Sequence, residues 1–165
     1  MKISISPPPV LDMARVIAYA VLDSTVQWSG KQTIFVDGKL LGPVPKLALC
    51  ENLGGDLKDI LVFHCNDDWT VLGVSGAKSI EDAKASAERA YRGITPKWVA
   101  TNVTEDEART WIKENCELMV CSFCDRLPGD YEQLIESKSS ARVCNHCIDE
   151  HYQLIHKPTN DNNVA

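Results

Sequence analysis

Two short stretches decide how this chain is read: CSFC at residues 121–124 and CNHC at residues 144–147, with nineteen residues between them. A Cys-x-x-Cys pair lets two thiolates reach one ion from a single tight turn, and two pairs complete the four-sulfur tetrahedron of a structural zinc site. The interval between the pairs falls in the range read as zinc-binding. Cys121, Cys124, Cys144 and Cys147 are therefore the candidate ligands of one structural Zn2+ per chain. Disulfides are an alternative, but they need an oxidising compartment and a pairing geometry that sequence does not supply. A thioredoxin-like redox centre is another, but it uses one such pair beside a βαβ unit, and no such unit surrounds these two.

Downstream of the second pair, Ile148, Tyr152 and Ile155 recur at helical spacing, which predicts a helix whose N-terminus carries Cys144 and Cys147. A helix N-terminus favours thiolate over thiol, because its unpaired amides and dipole stabilise negative charge. Asp149 and Glu150 suit the same end. With four sulfurs present, His146, His151 and His156 are expected at the surface or behind the ligands rather than on the metal.

From Cys121 to Ile155 the segment resembles the ClpX-type C4 zinc finger, the N-terminal zinc-binding domain of the ClpX unfoldase. The residues that carry the resemblance are CSFC, Leu134-Ile135, the second Cys-x-x-Cys and the Ile148-Asp149 start of the last helix. The resemblance implies a treble-clef-like fold, a short helix ending in Leu134-Ile135, dimerisation through apolar surface, and recognition of adaptors and protein clients. It also implies that Phe123, Leu134, Ile135 and Ile148 serve the small core or a dimer face. In ClpX the finger precedes an ATPase, whereas here it lies at the other end of the sequence. The only phosphate-loop-like stretch, LGVSGAKS at 72–79, has Leu72 and Ala77 where that motif requires glycine. Gly73 and Gly76 are instead expected to serve a turn, and the chain is not expected to be an unfoldase.

The rest of the chain is long enough for one core: 165 residues, 44% hydrophobic, with a formal net charge of −6. That acidity argues against an electrostatic grip on nucleic acid or an anionic membrane. Residues 121–157 repeat the argument, with four Lys or Arg (Arg126, Lys138, Arg142, Lys157) against six Asp or Glu. A tetrathiolate zinc would add about two more negative charges. Neither a signal peptide nor a run of apolar residues long enough to span a membrane is expected. The expected location is the cytoplasm of a bacterium, or of a cell infected by its phage, where free thiols and metal ligands outnumber disulfides.

Before the finger, the spacing of Val10, Leu11, Ala14, Ile17, Ala18, Val21 and Leu22 after Pro7–Pro9 predicts an amphipathic helix. Asp37-Gly38 predicts a type I′ hairpin, and Asn66–Asp68 a second hairpin between two β-rich runs. Ser79 is an N-cap for a helix with Ile80, Ala83, Ala87 and Tyr91 on one face, stopped by Gly93. TPKWVA (95–100) reads as a short strand, and Thr104 with Glu107 as the capping box of a helix with Ala108, Trp111 and Ile112 along one side. The fold class is α+β, with a mostly antiparallel sheet of four or five strands and two or three helices over residues 1–118. The finger follows over 119–157, and 158–165 form a disordered polar tail.

No catalytic site assembles from these residues, and the protein is expected not to be an enzyme. His64 and Cys65 are adjacent on a strand, so they face opposite sides and do not pair. Cys50, Cys65 and Cys116 are read as buried apolar groups, and Trp28, Trp69, Trp98 and Trp111 as core. The reading is a zinc-binding interaction protein whose partner is another protein or a second copy of itself. The alternative is an inhibitor or immunity protein whose acidic domain blocks a toxin while the finger only stabilises it. A nucleic-acid-binding zinc protein ranks below both.

Overall fold

The computed structural model describes residues 6–31, 34–36, 38–54, 59–116 and 119–156. Its first element corrects the sequence reading: Val10–Val21 is not a helix but a hairpin of β1 (Val10–Leu11) and β2 (Ala14–Val21). Asp12 and Met13 turn the chain with positive φ of 42° and 67°. Ten of the twelve positions are apolar, a run that satisfies a period of 2 as well as one of 3.6, and β-branched and aromatic residues favour the strand. Along β2, Ala14, Val16, Ala18 and Ala20 are buried while their neighbours are only partly covered, as alternation demands.

The chain continues through β3 (Gln27–Trp28), β4 (Phe35–Val36), β5 (Lys39–Leu40), β6 (Lys46–Asn52), β7 (Ile60–Cys65) and β8 (Val71–Ala77). Helix α1 (Ile80–Ala90), β9 (Tyr91–Arg92), a 3-10 turn (Thr95–Lys97), β10 (Val99–Ala100) and α2 (Glu105–Asn115) complete this part. One six-stranded sheet runs β1-β2-β6-β7-β8, with β10 sharing the outer edge of β2. Every pairing in it is antiparallel. Both expected hairpins form: Phe35 faces Leu40 and Val36 faces Lys39 around Gly38, and β7 turns into β8 through Asn66–Asp68. Asp37 and the tail 158–165 lie outside the described residues.

Central strand β6 is buried on both faces. Leu47 and Leu49 face a layer built from Ala83 and Ala87 of α1 together with Tyr91 and Ile94. Ala48 and Cys50 face the other way, onto Phe63, Cys65 and Trp69. Register shifts at Val16/Ala18 and His64/Cys65 help the sheet curl. His64 and Cys65 do fall on opposite faces, with His64 beside Tyr91 and Cys65 in the Trp69 cluster.

The helix caps follow the sequence. Ser79 Oγ accepts from the Asp82 amide at 3.1 Å, and the Thr104 and Glu107 side chains cap each other's backbone amides at 3.2 and 2.7 Å. Four smaller readings are corrected. Ile80 is exposed, so the buried face of α1 is Ala83 and Ala87 alone. Residues 95–97 form a 3-10 turn around Pro96, which leaves only Val99–Ala100 as strand. Gly73 and Gly76 lie inside β8, where Gly73 makes room for Ile34: an added Cβ would come within 2.8 Å of Ile34 Cγ2. Trp28 is exposed on β3 rather than in the core.

Helix α2 joins this domain to the C-terminal segment. Ala108 and Ile112 share one buried cluster with Val10 and Leu53 on one side and Val120 and Leu127 on the other. Around it, Lys113 Nζ meets Asp125 at 2.6 Å, and Arg109 reaches both Asp130, at 3.5 Å, and the Leu53 carbonyl, at 2.8 Å. At one point backbone lies on backbone: a Cβ on Gly54 would stand 1.9 Å from the Pro128 carbonyl oxygen.

Two outcomes are expected. Gly54→Ala drives the segments apart and lowers stability by about 1–3 kcal/mol, the usual range for overpacking, read as a lower urea midpoint. The second concerns His64, whose imidazole burial holds at about 4. The unfolded chain takes up that proton below about 6.5 while the folded chain refuses it, so stability falls as pH drops from about 6.5 to 4. His64→Leu should flatten that limb by about 3 kcal/mol at most, measured as the wild-type-minus-variant difference in unfolding free energy at each pH.

Candidate metal centre

The C-terminal segment is a turn, a hairpin and a helix. In the turn, the Asp125 amide donates to the Cys121 carbonyl at 3.0 Å and the Cys121 amide to the Arg126 carbonyl at 3.1 Å. Asp125, directly after Cys124, takes a positive φ of 57°. The hairpin is β11 (Leu134–Glu136) against β12 (Arg142–Cys144), with Leu134 opposite Cys144. Leu134-Ile135 is thus strand, which corrects the short helix that the resemblance implied; Ile135 and Val143 pair across the ladder as β-branched residues do. Helix α3 (Asn145–His156) follows directly, and Cys147 lies in its first turn, as the spacing predicted.

Two sets of hydrogen bonds hold these pieces in register. Ser122 and Arg142 exchange bonds, the Ser122 amide to the Arg142 carbonyl at 2.8 Å and the Arg142 amide to Ser122 Oγ at 3.0 Å. Asn145 Oδ1 accepts from the Glu132 and Gln133 amides at 3.1 and 3.3 Å, which ties the start of α3 to the residues that lead into β11. The buried Arg142 guanidinium donates to the Val120 and Ser140 carbonyls, so the finger's only deeply buried charge among the described residues is bonded to backbone.

The four predicted cysteines converge. Their sulfurs all lie within 4.8 Å of one another, with Cys121 to Cys147 at 3.9 Å and Cys124 to Cys144 at 3.7 Å. A tetrahedron with Zn–S bonds of about 2.3 Å has edges of about 3.8 Å, so the spacing is that of a tetrathiolate shell. It is far beyond the roughly 2.05 Å of a disulfide. No histidine joins the cluster: His151 stacks edge-on with Phe123, and His156 lies against Tyr152. Cys50, Cys65 and Cys116 are elsewhere, the first two buried in the sheet.

Electrostatics agree with geometry. Burial opposes ionisation of Cys121, but the amides of Phe123, Cys144 and Cys124 aim at its sulfur and bring the thiol down to about 6. Cys147 is pushed the other way by burial and by its hydrogen bonds with the neighbouring cysteine sulfurs, which favour its protonated form. The metal-free cluster therefore holds thiolate and thiol together, and a divalent cation relieves the mixture by taking all four as thiolates. Arg126 was not singled out from sequence, yet its Nη1 donates to Cys124 Sγ at 3.3 Å and offsets the excess negative charge. A cation two residues after a Cys-x-x-Cys pair was the available signal.

Residues 119–157 match the ClpX C4-type zinc finger family. The match spans the knuckle, hairpin and helix, and the four clustered cysteines are placed to bind one zinc ion. No curated protein and no solved structure matches the chain. The zinc shell is closed: with four protein sulfurs there is no position for a metal-bound water, so the ion's contribution is structural.

Zinc loading should release protons near neutral pH, because Cys147 still holds its proton there. Calorimetric titration in two buffers of different ionisation enthalpy will show at least one proton released per zinc, and affinity will rise with pH. Cys121→Ser, Cys144→Ser or Cys147→Ser will each abolish retention of zinc through gel filtration, whereas Cys116→Ala will keep one zinc per chain.

Proposed function

We propose that this is a non-enzymatic, zinc-dependent protein-interaction protein whose ClpX-type finger binds another protein, either a second copy of the chain or a protein client or adaptor. The observation that carries the reading is apolar surface gathered on the finger. Phe123, Ile135, Tyr152, Leu154 and Ile155 are each more than half exposed. Ile148, Tyr152 and Ile155 follow one another at i, i+4 and i+7 along α3, so they form one stripe. A soluble surface rarely gathers large apolar groups this densely without a partner to cover them.

The expected roles of Phe123, Ile135 and Ile148 narrow accordingly. All three are exposed, which suits a contact face better than a core, while Leu134 packs on the buried cysteines. The acidic chain and acidic finger make a nucleic-acid partner the weaker reading. Among the described residues no helix is long and apolar enough to cross a membrane. Removing residues 119–165 would be a poor test of where partner binding lies, since it would strip Val120 and Leu127 from the shared core.

Substitution on the stripe is the sharper test. Native mass spectrometry of the zinc-loaded wild type reports metal and subunit number in one spectrum. If the partner is a second copy, the wild type is a dimer, and the double variant Tyr152→Ser, Ile155→Glu weakens it at least tenfold while retaining one zinc. If the wild type is a monomer, the client reading predicts binding to a permanently unfolded, carboxymethylated protein, lost in the same variant. A monomer that binds no such protein would overturn the proposal.

A further inference from the structure

Away from the finger, a cavity of about 350 Å3 opens between α1, strands β7 and β8, and the side chains of Lys31 and Ile34. Its charge runs against the composition. The chain carries 23 Asp and Glu against 17 Lys and Arg, yet among the described residues the cavity is lined by Lys31 and Arg89 and by no acidic side chain. Neither cation forms an ion pair with a carboxylate among the described residues. Arg89 suits the C-terminal turn of α1 whatever else it does, because it complements the helix dipole. Lys31 has no such role. Its loop is nonetheless pinned beside Arg89: Ser29 Oγ donates to the Arg89 carbonyl at 2.7 Å, and the Ser29 amide to the Ala90 carbonyl at 2.8 Å.

The cavity floor adds the second observation. His64 lines it, is 4% exposed, and its Nδ1 is buried with no hydrogen-bond partner. A buried polar atom left unpaired costs stability, and the cost falls on a ring at the wall of a cavity. Nδ1 has neither a donor nor an acceptor partner, and with the proton of the neutral ring on that nitrogen the imidazole is a donor in search of an acceptor. Ser75 and Ser86 add hydroxyls, and Ile34, Val62 and Ala87 make the remaining wall apolar. Two cations, a neutral imidazole and two hydroxyls offer donors for an oxyanion, and the aliphatic wall offers cover for a small apolar group.

We infer that this cavity binds a small organic oxyanion, a carboxylate or phosphate borne on an apolar body about the size of one aromatic ring. Lys31 and Arg89 hold the anion at the mouth, His64 donates from the floor, and the body lies against Ile34 and Val62. The volume is at the small end of ligand sites, which begin at about 300 Å3, so a dinucleotide or a folded peptide is too large. The site is independent of the finger and of its partner.

The test uses the full-length, zinc-loaded protein with three probes: phenyl phosphate, benzoate and the neutral benzyl alcohol. Binding is followed by calorimetry and by the imidazole nitrogen and carbon shifts of His64. The expected result is saturable binding of at least one anion with a shift at His64, and at least tenfold weaker binding of benzyl alcohol. Preference for phenyl phosphate or for benzoate then distinguishes a phosphate from a carboxylate ligand. Lys31→Gln and Arg89→Gln should each weaken the anion about tenfold or more. Both side chains are exposed, so the urea midpoint should hold for Lys31→Gln and fall only slightly for Arg89→Gln, which also gives up its complement to the helix dipole. Three results would overturn the inference: no saturable binding of either anion, equal binding of benzyl alcohol, or an affinity that neither substitution changes.

Discussion

Four sulfurs around one ion are what the C-terminal third of this protein has in place of a hydrophobic core. Among the described residues the only buried cluster inside the finger is Cys121, Cys144 and Cys147, with Tyr131, Leu134 and Val143 packed against it. So few apolar side chains cannot offset the entropy of ordering nearly forty residues, at about 1–2 kcal/mol for each backbone. A structural zinc contributes apparent binding energy of about 10–16 kcal/mol in such modules. The knuckle, the β11–β12 hairpin and the start of α3 are therefore consequences of bringing four thiolates to one point. Hydrogen bonds such as Ser122 with Arg142, and Asn145 with the residues that lead into β11, set the details.

The same constraint reaches into the first domain. Val120 precedes the first ligand and Leu127 follows the first pair, and both are buried against Ala108, Ile112, Val10 and Leu53. Fully burying a leucine contributes about 1.5–3 kcal/mol, so the zinc-held turn also completes a core that belongs to the sheet domain. The contact of Gly54 with Pro128 and Gly129, and the ion pairs of Lys113 and Arg109, fix the angle at which the two parts meet. The finger is docked on one side, and its outward side carries the apolar stripe of α3. A rigid mount with an exposed apolar face is the arrangement that makes partner contact possible without ordering the finger at the moment of binding.

Much of this was legible in the sequence because the signals were local. The two Cys-x-x-Cys pairs, the caps at Ser79 and Thr104, the Gly38 turn and the Asn66–Asp68 turn each depend on residues a few positions apart, and all six formed. The reading failed where the pattern was degenerate. Val10–Val21 is apolar at nearly every position, so period alone could not separate a helix from a strand, and the pairing of β2 with β6 decided it. LGVSGAKS looked like a turn because of its glycines, but Gly73 is there to admit Ile34 from a loop nearly forty residues earlier. Leu134-Ile135 was assigned to a helix by resemblance, and its ladder with β12 made it a strand.

By itself the sequence determined the ligand set, the metal class and the α+β composition, because thiolate spacing, helix caps and turn chemistry act over a few bonds. Tertiary structure alone decided that the finger and the sheet domain share one core. It also decided that Phe123, Tyr152 and Ile155 face outward together, and that Lys31, His64 and Arg89 meet at one cavity. Those facts depend on which distant surfaces bury one another, and burial is a property of the whole packed chain that no short window of residues contains.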